Sequence, residues 1–556
     1  MAIDTQQAVL QRSIFRLFRI IRLERREISA IYFYAILFGL LQLTLPLGIQ
    51  SIINFVLAGS FSTSMIILIA AVVTGVLFTG MLQVSQMKLN EKIQQNIFVQ
   101  YTFEFAHRIP KVDMKSVDGY YMPELVNRFF DVVSLQKGLS KLLLDLPVAT
   151  IQIVFGLILL SLYNAVFIVF GLFLILILFL IIRYTSARGL ATSLEESDYK
   201  YGVAGWLQEI ARAMKSIKFS RNTGIHISKT DELVSGYLQA RTSHFKILLV
   251  QYWSLILFKV LITLAMLVVG GFLLIDQELN VGQFVAAEIV IITVLASIEK
   301  FIISLDKVYD VLTSVEKLGK VIDKPLEMSG NMELDTSEGI SIETRDLSFA
   351  FNEDQLILDN VDMRIPAGKL VCIAGPEGSG KSTLLRLLTG SFADFDGKIL
   401  INGLPIGNYS LDSLRNATGI YFSQQEIFEG TLWENISLGN CAYTAQEMVR
   451  LAEKIGLGNF IAEQPKGFET HIDPTGRRLS KTTTQRILFL RALAGKPKLL
   501  LLEEPWEGMD DSSKISMIRF LQQDLKECTI VVAASDPELM QVADIVYNIQ
   551  PVNPHL

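Results

Sequence analysis

The sequence predicts an α-helical membrane domain with six spans, followed by an α/β domain. Hydrophobic residues make up 51% of the 556 residues, more than an ordinary soluble protein carries. Long stretches of the first 300 residues lack any charged side chain, and short β-rich runs alternate with helical patterns near the C-terminus. The formal net charge of -6 and the lack of a long basic run argue against nucleic acid as a partner.

Residues 1–27 form the first element, an amphipathic segment. Its arginines recur every three or four residues between apolar side chains, at Arg12, Arg16, Arg19, Arg22 and Arg26. This pattern is typical of an elbow helix that lies at the cytoplasmic surface of the membrane, in contact with lipid. The alternative is a soluble amphipathic helix that packs on its own domain. No cleavable signal pattern is present.

Residues 28–323 are predicted to contain the six membrane spans. No Asp, Glu, Lys or Arg occurs from 28 to 87 or from 146 to 182, and each run is long enough for two helices. Breaks at 58–64 and 162–165 divide these runs. Two further apolar stretches, 260–275 and 284–298, complete the six.

Lysine and arginine are concentrated in the N-terminal arm and in the segments 88–142 and 183–246, and they are missing from the short breaks between spans. The positive-inside rule therefore places both termini and both long connections in the cytoplasm. We expect a multi-pass protein of the inner or plasma membrane, with helices that continue well beyond the bilayer and an element that docks on their cytoplasmic ends.

Two ionisable residues lie in or near the later spans. Lys259 falls at the inner end of its span, and we expect it to snorkel to the surface. Glu288 lies ten residues into the sixth span, where a carboxylate faces either a transport pathway or a hydrogen-bonding neighbour on another helix. The sequence leaves both alternatives open for Glu288.

Residues 324–340 are polar, contain proline and glycine, and are predicted to be a linker to the α/β domain at 341–556. Three cysteines, Cys372, Cys441 and Cys528, are far apart in this domain. Their spacing suggests neither a metal site nor a disulfide framework, so we expect free thiols.

The segment "VCIAGPEGSGKSTLLRLL" carries a phosphate-binding loop. It fits G-x-x-x-x-G-K-[ST] from Gly375 to Ser382, after an apolar strand and before a helix. Lys381 is predicted to reach the β- and γ-phosphates, and Ser382 to coordinate Mg²⁺. The predicted nucleotide-binding residues of the loop are Gly375, Gly378, Ser379, Gly380, Lys381, Ser382 and Thr383. ATP and Mg²⁺ are therefore the expected ligands.

A second chemical signal lies downstream in "KPKLLLLEEPWEGMD". An apolar strand ends there in paired carboxylates, Glu503 and Glu504. A strand that brings carboxylates beside a phosphate loop supplies what Mg²⁺ and the attacking water need. We assign Glu503 to the metal and Glu504 to catalysis.

With these motifs in place, the chain resembles the ATP-binding cassette (ABC) exporters from the arginine-rich elbow to Asp536. In that family two half-transporters pair, as a homodimer or a heterodimer, and each ATP lies between the phosphate loop of one chain and the signature segment of the other. The resemblance implies that Phe351 stacks on adenine and that Gln424, rather than Gln425, is the metal-associated glutamine. It also places Ser480, Lys481 and Asp510 at the partner's ATP.

Four departures from the family pattern bear on mechanism. The signature has Lys481, Thr482 and Thr483 where the family has Gly-Gly-Gln, and Glu503 replaces an aspartate. Ser535 occupies the place of the switch histidine, and no histidine lies between His471 and His555. Trp506 and Glu507 replace small or hydroxylated residues. These changes predict preserved ATP binding and slower hydrolysis.

Lys481 has two interpretations. Its ammonium group is itself a phosphate ligand and so compensates in part for the missing glycines, or it is merely solvated in a signature that tolerates it.

The resemblance implies an ABC-type ATPase and translocase that exports a substrate. The degenerate signature is loosely similar to that of type I secretion transporters, which move polypeptides with a membrane-fusion adaptor. We expect no leader-peptide cleavage, because the elbow starts within about fifteen residues of Met1. Lipid or drug export is the nearest alternative. A second class is an ATP-binding regulatory or scaffold subunit with little or no turnover.

Overall fold

A computed structural model of the chain describes residues 2–59, 63–220, 224–337, 339–351, 356–473 and 479–552. It divides into two compact units. The first contains Met1–Pro110 and Gly119–Lys324, and the second contains Lys111–Asp118 and Pro325–Leu556.

The first unit is helical. Its helices are α1 (Ala2–Leu23), α2 (Arg25–Gln42), α3 (Thr44–Leu57), α4 (Thr63–Arg108), α5 (Met122–Val126), α6 (Asp131–Tyr163), α7 (Val166–Arg212), α8 (Met214–Phe219), α9 (Ile225–Ile275) and α10 (Val281–Ile322). Among the described residues, six helical stretches are long and apolar enough to cross a membrane, which confirms the predicted number. They are Arg25–Leu57, Thr63–Lys111, Met122–Tyr163, Val166–Arg212, Ile225–Ile275 and Val281–Ile322.

Several of these helices are much longer than a bilayer is thick. Helices α4, α7 and α9 have 46, 47 and 51 residues, and therefore extend about 70 Å or more at 1.5 Å per residue. The hydrocarbon core needs only about 30 Å. The helices thus continue beyond the apolar region, as the charge pattern predicted.

The first span is broken into two helices. Helix α2 ends at Gln42 and α3 begins at Thr44, with Leu43 as the junction. Pro46 lies in the first turn of α3, where it cannot donate the backbone hydrogen bond that a continuous helix would need. The charge pattern of the sequence predicts a single span here and does not indicate the break.

Polar side chains join the helices inside the first unit. Ser297 Oγ donates a hydrogen bond to Gln152 Oε1 at 2.7 Å, and Gln152 Nε2 donates to Gln42 Oε1. Lys259 forms an ion pair with Glu299. Glu288 is partly buried, and its Oε1 atom has no hydrogen-bond partner among the described residues. A pathway role for Glu288 remains a prediction.

The N-terminal helix α1 packs on α10 along one side. The guanidinium of Arg16 forms ion pairs with Glu316 and Asp323, and Ile20 is buried. Phe15 and Phe18 remain largely exposed. Helix α1 therefore has one face packed on its own unit and an aromatic face that is free.

The second unit has three sheets. The strands are β1 (Ile342–Ala350), β2 (Leu356–Ile365), β3 (Leu370–Ala374), β4 (Asp396–Ile401), β5 (Leu404–Pro405), β6 (Thr418–Tyr421), β7 (Gly430–Thr431), β8 (His471–Ile472), β9 (Leu499–Glu503), β10 (Thr529–Ala533) and β11 (Ile545–Asn548). An antiparallel sheet has the order β2-β1-β4-β5, a parallel sheet the order β11-β3-β10-β9-β6, and β7 pairs with β8.

Eight α-helices accompany these sheets in the described part of the second unit. They are α11 (Lys381–Leu388), α12 (Leu411–Ala417), α13 (Leu432–Ser437), α14 (Ala445–Lys454), α15 (Gly458–Glu463), α16 (Lys481–Leu493), α17 (Asp511–Asp524) and α18 (Pro537–Val542). The α/β fold class is confirmed. Strands β3, β9 and β10 are buried along their whole length, which explains their continuous apolar sequences.

The register of the parallel sheet determines which residues meet at the candidate nucleotide-binding site. Ala533 of β10 pairs with Ile373 of β3 on one side and with Glu503 of β9 on the other. The three strands therefore end at the same level, and the residues that follow them meet at one edge of the sheet.

The short segment Lys111–Asp118 belongs to the second unit. The backbone N–H of Glu327 donates to the carbonyl oxygen of Lys111 at 2.9 Å, and Lys115 Nζ forms an ion pair with Asp394 at 2.6 Å. Part of the first predicted long connection thus packs with the α/β unit.

The close approach of α7 and α10 gives a test of the first unit. A Cβ atom at Gly189 would lie 2.4 Å from Cζ of the buried Tyr309, whereas one at Gly80 of α4 would meet nothing within 4 Å. We expect Gly189→Leu to cost about 1–3 kcal/mol by overpacking and to lower the Tm of the purified protein by at least about 3 °C. Gly80→Leu is the control, and equal Tm values for the two variants would contradict this packing.

Candidate nucleotide-binding site

The phosphate loop runs from the end of β3 to the start of α11. Gly375, Gly378 and Gly380 have φ angles of 150°, 78° and 90°, which favour glycine. A Cβ atom at Gly375 would lie 2.2 Å from the carbonyl oxygen of Ile549. The loop therefore has the backbone form that lets N–H groups surround a phosphate at a helix N-terminus.

The polar side chains of the loop differ in their hydrogen-bond partners. Lys381 Nζ donates hydrogen bonds to the carbonyl oxygens of Gly375 and Pro376, both at 2.8 Å. The Ser379 hydroxyl is buried and has no partner among the described residues. Ser382 and Thr383 lie in the first turn of α11. The side chain of Lys381 therefore lies across its own loop.

Phe351 follows β1 and belongs to an aromatic cluster. Its ring packs edge-to-face against Phe349 and Phe392, with centroids 5.1 and 5.7 Å away. The ring is partly exposed. Adenine stacking on Phe351 remains a prediction.

The paired carboxylates at the end of β9 have different surroundings. Glu503 is buried, and its Oε2 accepts hydrogen bonds from the Ser423 backbone N–H at 3.0 Å and from the Ser423 hydroxyl at 3.1 Å. Glu504 is partly buried, and its N–H donates to the carbonyl oxygen of Ala533 at 3.0 Å. Ser423, which tethers the glutamine segment to the carboxylate strand, belongs to no sequence motif that would predict this contact.

The backbone conformation of Glu504 and the pKa of its carboxyl group are both unusual. Its φ angle of 41° is unusual for a side chain larger than glycine and costs of order 1–3 kcal/mol. Burial raises the pKa of its carboxyl group, and the charge of Lys381 opposes this rise. A carboxylate with a raised pKa is a stronger base, which suits proton removal from water.

The two glutamines differ in their contacts. Gln424 is exposed, and its Oε1 accepts a hydrogen bond from Arg386 Nη2 at 3.0 Å. Gln425 is partly buried and folds back to accept from the N–H of Phe422 at 3.3 Å. Gln424 is therefore the side chain that is displayed beside the helix of the phosphate loop, although its metal role remains a prediction.

The signature segment forms a capped helix despite its missing glycines. Helix α16 begins at Lys481, and Ser480 Oγ accepts a hydrogen bond from the Thr483 N–H at 3.0 Å. Ser480 is therefore the N-cap of this helix. The two arginines at 477 and 478 lie outside the described residues.

Lys481 has a partner that the sequence did not reveal. Its Nζ donates to Glu507 Oε1 at 2.9 Å, and both side chains are exposed. Gln485 Nε2 donates to the carbonyl oxygen of Glu507 at 2.8 Å. Two residues that depart from the ABC pattern thus pair with each other. An exposed pair of this kind is weak and can open for a stronger anion.

Asp510 caps the next helix. Its side chain accepts from the Ser513 N–H at 3.0 Å and from the hydroxyl groups of Ser512 and Ser513, and these hydrogen bonds lower the pKa of Asp510. Trp506, which precedes it, is buried in the core of the unit. A role for Asp510 at a partner's ATP remains a prediction.

Ser535, at the place of the switch histidine, contacts the phosphate loop directly. Its hydroxyl donates to the carbonyl oxygen of Gly375 at 2.6 Å and accepts from the N–H of Gly375 at 3.3 Å. Ser535 therefore links β10 to the loop, but it cannot carry a positive charge.

Comparisons with known proteins agree with this geometry. Residues 28–298 match the family described as the ABC transporter transmembrane region, and residues 358–507 match the family described as ABC transporter. The chain belongs to the ABC transporters. Its fold resembles the structure of a bacterial Atm1-family ABC exporter with ATP bound, with a TM-score of 0.85 and 19% identity over 95% of this chain and 94% of the other. The half-transporter architecture is confirmed.

Curated relatives of this ABC transporter chain have several described activities. It is 26% identical over 341 residues to the alpha-hemolysin translocation ATP-binding protein HlyB of Escherichia coli O6:H1, covering 61% of this chain and 48% of HlyB. It is 28% identical over 316 residues to the cyclolysin secretion/processing ATP-binding protein CyaB of Bordetella pertussis, covering 56% and 44%.

Another relative is the mitochondrial iron-sulfur clusters transporter ABCB7 of Oryzias latipes, at 33% identity over 199 residues, which covers 36% of this chain and 27% of ABCB7. The matches span less than half the length of these curated relatives.

The residues present fit a nucleotide with Mg²⁺. A Cβ atom at Gly378 would meet no atom within 4 Å, so the loop of the transporter chain is open at that position. The hydroxyl of Ser382, the amide oxygen of Gln424 and the carboxylate of Glu503 are oxygen donors of the kind that Mg²⁺ prefers. A bound Mg²⁺ would neutralise phosphate charge, and these three residues would hold it.

The contact of Ser535 with the loop leads to a prediction. We expect Ser535→His to raise the ATPase rate at least about tenfold, because an imidazole can donate to phosphate and carry charge. Ser535→Ala should give no such gain. The measurement is steady-state phosphate release by the purified protein in lipid. A histidine variant no faster than the alanine variant would show that the missing histidine does not limit turnover.

Proposed function

We propose that this ABC transporter chain is one half of an ATP-driven exporter with slow ATP hydrolysis. Two chains, identical or related, pair so that each ATP lies between one phosphate loop and the other chain's signature. The proposal rests chiefly on Glu504, which directly follows β9. This strand ends at the same level as β3, the strand that precedes the phosphate loop. A regulatory subunit without turnover would have no use for such a residue.

Each proposed role follows from the chemistry of the side chain. Phe351 stacks on adenine, and the loop N–H groups and Lys381 bind the phosphates. Ser382, Gln424 and Glu503 hold Mg²⁺. Glu504 accepts a proton from the attacking water, and Ser480, Lys481 and Asp510 face the partner's ATP.

Hydrolysis is slow in this proposal for two reasons. Ser535 supplies no positive charge to the transferring phosphoryl group, so transition-state stabilisation is weaker than with histidine. The signature presents Lys481 instead of a glycine backbone, and the ammonium group lacks the geometry of several N–H donors. ATP binding depends on the complete phosphate loop and is retained.

The proposed cargo is a polypeptide, moved with a membrane-fusion adaptor. The matches to the hemolysin and cyclolysin proteins cover 341 and 316 residues, which exceeds the length of the α/β domain and therefore includes membrane helices. The match to ABCB7 covers 199 residues, fewer than that domain contains, and the match to the mitochondrial iron-sulfur clusters transporter ATM1 of Candida glabrata covers 257, which is longer than the domain but shorter than the two secretion-protein matches. The alternative to a polypeptide cargo is a lipid or a drug. The proposed orientation has both termini in the cytoplasm of the inner or plasma membrane.

The general-base role of Glu504 is tested by one isosteric change. We expect Glu504→Gln to lower Mg²⁺-dependent ATPase activity by about 100-fold or more, because the amide cannot accept the proton. ATP affinity should stay within about twofold, since the phosphate loop is unchanged. Glu507→Gln, three residues later, should retain hydrolysis and is the matched control. An unchanged ATPase rate in Glu504→Gln, with ATP still bound, would favour the regulatory alternative.

The role of Lys481 is tested through dimer closure. In the proposal Lys481 leaves Glu507 for the γ-phosphate, which is the stronger anion. We therefore expect Lys481→Ala, in a Glu504→Gln background, to raise the ATP concentration for half-maximal closure about tenfold. Spin labels on the two α/β domains report closure by their separation.

Two variants control this experiment. Glu507→Gln frees Lys481 and should lower the ATP concentration needed for closure. Lys454→Ala removes another surface lysine that is ion-paired, with Asp524, and should change nothing. Equal closure in Lys481→Ala and Lys454→Ala would mean that Lys481 is only solvated.

A further inference from the structure

The first unit contains a polar cavity of its own. It has a volume of about 450 Å³ and lies between the first turns of α6, the second half of α7 and the second half of α10. All thirteen residues that line it are polar or charged except Gly138. Four are lysines, three are carboxylates and five carry hydroxyl groups. In a unit built mainly of apolar helices, such a lining needs an explanation.

The carboxylates of the lining are already engaged. Asp131 pairs with Lys200 at 3.3 Å, and Asp310 pairs with Lys307 at 2.7 Å. The third carboxylate, Glu196, pairs at 2.9 Å with Arg241 on α9. Each acidic side chain thus has an ion-pair partner, although the Oδ2 atom of Asp131 is buried and has no hydrogen-bond partner among the described residues.

Two of the lysines are different. Lys137 and Lys141 are four residues apart on α6, so they lie on the same face of the helix. Both are exposed, and neither forms an ion pair with any described residue. The cavity therefore has two uncompensated positive charges along one wall.

Another helix of the lining carries an unused hydrogen-bonding group. Ser197 on α7 is only 6% exposed, and its hydroxyl has no partner among the described residues. A buried hydroxyl without a partner costs about 1–3 kcal/mol. By contrast, the hydroxyl groups of Ser193 and Thr313 in the same lining form a hydrogen bond with each other, with their oxygen atoms 2.8 Å apart. A bound acceptor in the cavity would remove this cost at Ser197.

We propose that this cavity binds a small ligand through a phosphate group. Two ammonium groups supply the charge, and the Ser197 hydroxyl donates a hydrogen bond to a phosphate oxygen. The volume exceeds that of a phosphate group alone, so the ligand carries a further polar portion that meets the remaining hydroxyls. The site is independent of ATP hydrolysis and goes beyond the proposed export function.

The position of the cavity allows two sources of the phosphate. Lys141 precedes the charge-free run at Leu146 by five residues, which places it about 7 Å from the hydrocarbon core. Lys137 is about 13 Å away by the same rise per residue. The head-group layer on each side of a bilayer is about 7 Å thick. An anionic lipid head group and a free phosphate ester of the cytoplasm both fit this depth.

Lysine acylation read by mass spectrometry tests the site at each position. The full chain is placed in phosphatidylcholine nanodiscs, with or without glycerol 3-phosphate, and in nanodiscs that also contain phosphatidylglycerol. We expect acylation of Lys137 and Lys141 to slow at least about fivefold when the site is filled. Lys88 on α4 and Lys246 on α9 are exposed controls and should not change.

Every outcome of this experiment bears on the proposal. Protection by glycerol 3-phosphate assigns the site to a soluble ester, and protection only with phosphatidylglycerol assigns it to a lipid head group. No protection under either condition, or equal protection of Lys88 and Lys246, would overturn the proposal. Acylation of Lys381 is recorded separately, so binding at the nucleotide site is not confused with binding here.

A hydroxyl variant tests whether the cavity itself, and not only surface charge, holds the ligand. Ser197→Ala should require about tenfold more glycerol 3-phosphate, or a larger share of phosphatidylglycerol, for the same protection. Its Tm without ligand should not fall, because the lost hydroxyl has no partner. Ser134→Ala, on the exposed face of α6, provides a second variant if Ser197→Ala folds poorly. Unshifted protection in both would overturn the proposal.

Discussion

The pairing of β3, β10 and β9 is the constraint on which the nucleotide chemistry depends. Ala533 pairs with both Ile373 and Glu503, so the three strands end together. The N–H of Ala534 then bonds to Ile373 at 3.1 Å, and that of Glu504 bonds to Ala533 at 3.0 Å. A one-residue slip would turn Glu504 away from the phosphate loop. The strained backbone of Glu504 is held by the same hydrogen bonds that hold the register.

The departures from the ABC pattern are physically related to one another. Ser480 caps α16 through its side chain. The helix therefore still begins at this point, although the residues after Ser480 are not the glycines of the family pattern. Lys481 then projects from the first turn, where a cation is unfavourable near the helix dipole, and Glu507 offsets it. In the proposed mechanism, the ammonium group of Lys481 thus takes the place of the backbone N–H donors of the signature. That exchange keeps attraction for phosphate and loses directional precision.

The sequence predicted the parts of the fold that local pattern determines. Long charge-free runs give four spans and two further apolar stretches give the others, whatever the packing, and the spacing from Gly375 to Ser382 gives the phosphate loop. The contacts that define the site join residues far apart in the chain. Ser423 meets Glu503 across 80 positions and Lys481 meets Glu507 across 26, so no periodicity reveals them. The break at Leu43 was missed because charge patterning is insensitive to helix bends.

The polar cavity and the apolar spans follow from one physical rule. Helices that cross hydrocarbon exclude charge, so polar side chains accumulate where the same helices continue into water. There the Asp131–Lys200 ion pair joins α6 to α7, and the Ser193–Thr313 hydroxyl contact joins α7 to α10. Lys137 and Lys141 lie along one wall of the cavity, and their positive charges repel each other. An anion bound between them would replace this repulsion with attraction. An occupied cavity would therefore join three helices that an empty one leaves less tightly connected.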